Sequence, residues 1–566
     1  MSGRPGEEIG RVERVVLGGL LAANLVLRLV YVFAFRFDSD ETQHLHVSWG
    51  WAHGLIQYRD LFDNHAPLFH LLFAAPLAVA PEGPAMLYIT RLAMLPIAAA
   101  LLALTFALGW QLFSLRVALW GAVLAGLFPR VFLRTVEVRP DNLCAVLWLL
   151  ALLVAVRGRA TRGRGFAVGA VLGLALVASI KTAVLVAALA GAAAFAWLLS
   201  PRLRGRAPLG VQAQYAAALA GGLAIAPALL VAAYASLGSL EALRYCVLTH
   251  NSLSGLGVWD FALRRLAHFA AVLLGSAGVG ALLLMQSGDP RLGVRRAVVF
   301  LAAAGAEAFF GVLLPIWEPE HGLPYYPLLV LFTTAGLGAL AGATARRIEA
   351  WPTARVLAPL ACALALVELG MLTARLRSPA NSTDETAAVI SDVVALTDRD
   401  DPVMDLKGET VFRGRPFYFA LEEITRRMLR SGQIEDAIED RIIATHTCVA
   451  VLDHRYFPPQ GRAFMNQAFV PVGHLRVCGG VLDPGRPSQE FEVLVPARYA
   501  IVADGGAAAG WLDDRPYDGP RFLDAGPHSF RARDGSPQRL AFLWAKAEER
   551  GFSPFDTKIV LSSAAR

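Results

Sequence analysis

Charge is scarce in this chain: Asp, Glu, Lys and Arg make up 17% of its 566 residues, against 55% hydrophobic residues and a mean hydropathy of +0.49. A soluble protein of this length rarely has such a composition, so most of the chain reads as membrane-embedded. Nucleotide-binding signatures are missing as well. There is no G-x-x-x-x-G-K-[ST] loop, no G-x-G-x-x-G turn between a strand and a helix, and no cytoplasmic loop long enough to fold a nucleotide-binding domain, which argues against direct ATP coupling and against a nucleotide-sugar donor. Neither H-E-x-x-H nor C-x-x-C occurs. The five cysteines say little: Cys144 and Cys362 fall in apolar runs, Cys246 in a connecting loop, and Cys448 and Cys478 in the tail, where an oxidising compartment could join them. The absence of an inverted repeat, and of Gly/Pro-broken spans at matching positions in two halves, weighs against a transporter or lipid flippase.

What the chain has in quantity is long apolar runs. The first, from roughly Val15 to Phe35, matches the length of a membrane-crossing helix. Further runs lie near 86–110, 113–130, 141–156, 166–180, 181–199, 211–236, 264–285, 297–315, 324–344 and 355–374. Together they predict a multipass α-helical membrane protein of about eleven spans, the runs at 141–156 and 166–180 being short for a crossing. Charged residues precede the first run and no small-residue cleavage site follows it, so it reads as a retained signal anchor.

Arginine sets the orientation. The connections at 157–165, 201–206, 288–296 and 345–355, and the N-terminal tail with Arg4, Arg11 and Arg14, are Arg-rich and are placed in the cytoplasm. That puts the loops at 37–85, 131–140, 237–263 and 316–324 outside, with everything after about Arg375. The sequence pI of about 9.2 therefore reflects topology and contact with membrane lipids, not nucleic acid. After residue 375 the pattern changes to short strand-like pieces such as 448–453 and 490–504, with a helical stretch near 417–432. The expected organisation is a transmembrane domain over 1–375, an extracytoplasmic α/β domain over 376–487, and a β-sandwich-like domain over 488–566.

One segment concentrates chemistry. Between residues 37 and 72, just after the first span, stand Asp38, Asp40, Glu41, His44, His46, His53, Asp60, Asp63 and His65. If the stretch is helical, Asp40, Glu41 and His44 share a face and form a divalent-metal alternative. The plainer reading is an amphipathic helix in the membrane interface, with Leu45, Trp49 and Trp51 toward lipid and the histidines toward water. Arg28 and Glu307 lie inside predicted spans, where an unpaired charge is costly, and each is a partner for the other.

Asp40-Glu41, the segment G-x-x-x-Y-R-D-x-F-D-N-H-x-P-L from Gly54 to Leu68, V-R-P-D at 138–141, and H-G-L-P-Y-Y-P-L at 321–328 resemble, in their order and their placement on one side of the membrane, the integral-membrane C-type glycosyltransferases. Within these the chain is most similar to the protein O-mannosyltransferase and lipid A aminoarabinose transferase relatives, over roughly residues 1–375. The resemblance implies an inverting transfer of a sugar from a polyprenyl-phosphate donor to a glycan, lipid or protein acceptor outside the bacterial cytoplasmic membrane, by a fold of that class. Asp40 matches the family's catalytic aspartate, with Glu41 beside it to orient.

The chemistry of the residues agrees with that role. A carboxylate hydrogen-bonded to the acceptor can take its proton as the glycosidic bond forms, and Asp38 is an alternative base two residues away. The leaving lipid phosphate calls for positioned cations, for which His65, Arg139, Lys181 and His321 are candidates, with Asp141 and Tyr325 as further substrate contacts. Each has a plainer reading. Arg139 and Asp141 could form a structural ion pair, Lys181 could snorkel from a helix end, and Tyr325 could be an interfacial tyrosine. His65 stands where the aminoarabinose-type relatives carry a lysine, and a histidine is only partly charged at neutral pH. No metal ligand set and no cofactor is assigned. A noncatalytic glycan-binding membrane protein is the other rival, and it would have no need of Asp40.

Overall fold

The computed structural model describes residues 9–199, 209–252, 274–283, 289–313, 318–347, 354–452, 455–483, 488–504, 506–533 and 539–555. The chain divides into two compact units, one made of Met1–Arg36, Asn64–Phe69 and Tyr88–Asn381, the other of Phe37–Asp63, His70–Leu87 and Ser382–Arg566.

The first unit is helical. Arg11–Ala34, Ala85–Leu112, Thr182–Leu199, Gly210–Ser236 and Val356–Leu376 are each long and apolar enough to cross a membrane. Leu115–Leu127 and Pro129–Val136 add a crossing if they are taken as one span, bent by 63°. The protein is thus a multi-pass membrane protein, and among the described residues five helices, or six with the bent pair, meet that test, so the expected count of about eleven spans is not confirmed. The 141–156 and 166–180 runs form helices of 17 residues, Pro140–Val156 and Arg162–Ala178. Of the expected 264–285 span only Leu274–Leu283 is described, and the basic 201–206 connection lies outside the described residues.

Proline sets two of the boundaries. Pro129 and Pro140 each occupy the first turn of a helix, where the missing N–H has no intrahelical carbonyl to lose. The expected 131–140 loop is consequently half helix, with Glu137, Val138 and Arg139 as a tight connection between Pro129–Val136 and Pro140–Val156.

Packing in this unit depends on small residues. A Cβ on Gly169 would lie 2.0 Å from the Leu219 carbonyl oxygen, on Gly173 2.6 Å from that of Leu223, and on Gly165 2.6 Å from that of Tyr215. Glycine at every fourth position of Arg162–Ala178 lets its backbone touch that of Leu209–Ser236, the means by which apolar helices associate without a hydrophobic driving force. Arg91 donates to the Phe35 carbonyl at 2.7 Å and the Arg36 carbonyl at 2.8 Å, closing off the orphan acceptors at the end of the first helix. Arg28 does not pair with Glu307. Its guanidinium bonds Asn24 Oδ1 at 2.9 Å, Thr135 Oγ1 at 2.6 Å and the Gly126 carbonyl at 3.1 Å, and lies over the Phe132 ring, so neutral acceptors on neighbouring helices solvate the charge.

In the second unit Asp38 caps the helix Ser39–Ala52. Glu41 through Gly50 are all buried, histidines included, so this helix does not lie in the interface with one wet face. The C-terminal region carries an eight-stranded sheet and a four-stranded antiparallel sheet. Val403–Met404 and Val449–Ala450 pair in parallel, and the remaining strand pairs are antiparallel. The larger sheet draws strands from both sides of residue 487, because Leu475–Val481 and Ala497–Ala503 both pair with Leu540–Trp544. The 490–504 stretch breaks into Ser488–Val493 and Ala497–Ala503, which belong to different sheets. Cys448, just before the strand Val449–Ala450, and Cys478, on Leu475–Val481, are free thiols whose backbones are joined by a 2.9 Å hydrogen bond.

Candidate active site

The start of the Ser39–Ala52 helix separates three neighbouring carboxylates by task. Asp38 Oδ1 accepts from the Asp40 N–H at 3.1 Å, and Glu41 Oε1 accepts from the Asp38 N–H at 2.9 Å, a reciprocal cap that satisfies donors the helix leaves open. Glu41 is fully buried in that role. The Asp40 side chain takes no part in the cap. It is 30% exposed, and its Oδ1 accepts a short hydrogen bond from the Lys407 ammonium. Burial works against the charge on Lys407, but Asp40, with Glu409 and Asp38 adding to it, more than compensates and holds the pKa above the ordinary lysine value.

One turn further along, His44 Nδ1 meets His70 Nε2 at 3.0 Å. His70 Nδ1 faces Gln57 Oε1 at 3.1 Å and Asp63 Oδ2 at 3.5 Å, both acceptors, which assigns its proton to Nδ1 and makes His44 the donor to His70. Asp63 also accepts from Gln57 at 2.8 Å and Gln43 at 3.2 Å. This buried network organises the loop after the helix. It also directs His44 Nδ1 away from the role of metal ligand, and among the described residues no group of three or more His, Cys, Asp or Glu side chains could hold a metal ion. Glu82 ties the same unit together, bonding Arg399 and Arg413 at 2.7 Å each and Trp49 Nε1 at 3.3 Å.

The first unit holds a second charged cluster. Arg139 does not pair with Asp141. Its Nε donates to Glu137 Oε2 at 2.6 Å and its Nη1 to Glu320 Oε1 at 3.2 Å. Arg134 reaches the same two glutamates at 2.6 and 3.5 Å, so two arginines and two glutamates neutralise one another in a ring. Asp141, in the first turn of its helix, takes Lys181 Nζ at 2.8 Å. Lys181 sits in the turn before Thr182–Leu199 and is 24% exposed, whereas Arg139 is 4% exposed. A lysine held this way is docked on a carboxylate, not snorkelling.

His321, on the short helix Pro319–Gly322, is acted on by Lys181, Asp141, Arg139 and His65, which places these side chains within electrostatic range. Burial first, then the positive neighbours, push its pKa down to about 3, so the ring is neutral at pH 7 and is no phosphate-neutralising cation. Its Nδ1 accepts from the Glu318 N–H at 3.3 Å, which puts the proton on Nε2 and makes the ring a neutral donor. Tyr325 is buried, and the Phe310 ring lies 5.4 Å from that of His321 and 6.2 Å from that of Tyr325.

The structure thus gathers His65, Arg139, Asp141, Lys181 and His321 in one unit with Tyr325 near them, and places Asp40 and Glu41 in the other. Sequence reasoning missed Lys407, Glu82, Glu137 and Glu320. Glu137 and Glu320 had a usable signal, standing directly before V-R-P-D at 138–141 and H-G-L-P-Y-Y-P-L at 321–328. Lys407 had none, since 367 residues separate it from Asp40.

Two crystal structures of ArnT from Cupriavidus metallidurans are similar to this chain. The apo structure gives a TM-score of 0.54 at 12% identity, over 81% of this chain and 96% of that one. The structure bound to undecaprenyl phosphate gives 0.50 at 13% identity, over 75% and 89%. The apo oligosaccharyltransferase of Archaeoglobus fulgidus is also similar, with a TM-score of 0.48 at 12% identity over 78% and 69%. No protein-family model matches the sequence, and no curated protein matches it. ArnT is a C-type glycosyltransferase, and the fold of this chain is that of the C-type integral-membrane glycosyltransferases, the family its sequence resembles.

Proposed function

We propose that the protein transfers a sugar from a polyprenyl-phosphate donor to a glycan, lipid or protein acceptor at the outer face of the cytoplasmic membrane, with the C-terminal region on that face. The observation that carries the proposal is the division of labour at the helix start, where Asp38 and Glu41 form the cap and the Asp40 carboxylate points instead to a lysine. Asp40 accepts the proton of the acceptor hydroxyl or amine as that atom attacks the anomeric carbon. The bond from that carbon to the phosphate oxygen breaks, its electron pair leaves with the polyprenyl phosphate, and a single displacement inverts the centre. Lys181 meets the developing charge on the phosphate, and His321 donates a neutral hydrogen bond from Nε2. Arg139 serves by holding Glu137 and Glu320. The likeness of the fold to ArnT, which has been seen with undecaprenyl phosphate, supports this class of donor.

The test is transfer by the purified protein from a polyprenyl-phosphate sugar, comparing Asp40→Asn with Asp38→Asn. Asp40→Asn removes the proton acceptor at nearly constant size and should lower turnover by about two orders of magnitude while donor binding persists. Near-normal transfer by Asp40→Asn would refute the assignment. Transport of the lipid without transfer by the wild type would favour a flippase.

A further inference from the structure

Lys407 comes from the C-terminal region, and the loop that carries it is built to tight tolerances. Asp405, fully buried, accepts from the Gly408 N–H at 2.7 Å, the Thr410 N–H and hydroxyl at 2.9 Å each, and Arg415 Nε at 2.8 Å. Arg415 in turn donates to the carbonyls of Asp405, Leu406 and Phe419 at 2.9 to 3.0 Å. Gly408 has φ +95°, and a Cβ there would stand 2.6 Å from the His46 ring. Val411 takes φ +62°, a left-handed conformation that a β-branched residue adopts only under constraint, and its carbonyl meets His46 Nδ1 at 2.9 Å. One buried carboxylate, one buried imidazole and a strained valine therefore fix the backbone on both sides of Lys407. A surface lysine on a helix end needs no such frame.

We propose that Lys407 is a positioning residue for Asp40, supplied by the C-terminal region to keep that carboxylate ionised and aimed until it takes the acceptor's proton. The inference rests on the reading of Asp40 as the base. It gives the C-terminal region a task in the reaction itself. The charged groups described around the contact include Asp38 and Glu41 on the helix and Glu409, Asp405 and Arg415 on the loop. Removing Lys407 takes an ammonium away from a helix turn that carries three carboxylates, Asp38, Asp40 and Glu41, and Asp40 would then hold a proton more tightly than in the wild type.

The experiment compares wild type, Lys407→Met, Lys407→Arg and Gly408→Ala in purified, monodisperse protein, reading the pH profile of transfer and, separately, the Asp40 carboxyl band in infrared difference spectra, identified by its loss in Asp40→Asn. Lys407→Met should lose about tenfold in kcat/KM at a pH on the acid limb and less at high pH, with the limb and the infrared titration both moved upward. Lys407→Arg should return most of the loss, because the charge returns. Gly408→Ala should resemble Lys407→Met, because a Cβ there displaces the loop from His46. An unmoved acid limb and an unmoved carboxyl titration in Lys407→Met would overturn the proposal. If the wild type transfers no sugar, the functional reading fails instead, and the infrared titration still decides whether Lys407 governs Asp40.

Discussion

Arg139 offers the clearest separation between a residue that holds the site together and one that touches the donor. Its guanidinium is 4% exposed and bridges Glu137 and Glu320, themselves 2% and 7% exposed at the side chain. Replacing it by Gln takes a guanidinium partner from two carboxylates in a nearly dry setting, and removing one member of a buried ion set typically costs about 3–5 kcal/mol. Arg134 still reaches both glutamates at 2.6 and 3.5 Å, which places the expected loss at the lower end, about 3 kcal/mol. Adding Glu320→Gln removes one of the charges that lost a partner, so the double variant should be more stable than Arg139→Gln alone, with a coupling of about 1–3 kcal/mol. The assay is the fraction of monodisperse protein that survives a temperature series in detergent without donor, for the wild type, both single variants and the double. A direct phosphate contact behaves oppositely, weakening donor binding and leaving the donor-free protein as stable as before. Wild-type thermal survival of Arg139→Gln would therefore refute the ring as a structural element and return Arg139 to the donor.

Lys181→Met, by contrast, should weaken donor binding with little effect on donor-free stability when combined with Asp141→Asn. Loss of one charge-assisted phosphate contact is worth about 1.5–3 kcal/mol, or roughly 10- to 150-fold in affinity, and unchanged donor affinity would assign Lys181 to structure. His321 predicts a pH dependence. Its folded pKa of about 3 lies below the unfolded value of 6.5, so between these the unfolded state holds the extra proton and stability falls as pH drops through that window; His321→Gln should flatten the slope, and an identical slope would contradict it. Gly169→Leu should disrupt the helix pair Arg162–Ala178 and Leu209–Ser236, since even a Cβ meets a carbonyl at 2.0 Å, and yield of folded protein equal to wild type would refute that packing.

Sequence by itself determined the membrane class, the first and last crossings, and the resemblance in fold, because these depend on run length, composition and motif order, which are local properties. It also found the acidic helix start and most of the charged cluster of the first unit, since Asp40, Asp141, Lys181 and His321 stand beside motifs or at helix ends. Only the tertiary structure decided who bonds to whom. Periodicity put His44 and His46 on the wet face of an interfacial helix, whereas packing buries both, because a polar residue whose hydrogen bonds are met by distant partners can be buried without penalty. Spacing suggested Arg139 with Asp141 and Arg28 with Glu307. The fold chose Glu137 and Glu320 for one and neutral carbonyl and hydroxyl oxygens for the other, since partners in a folded chain are chosen by proximity in space. Lys407 is the extreme case: its contact with Asp40 joins positions 367 residues apart, and no local pattern encodes it.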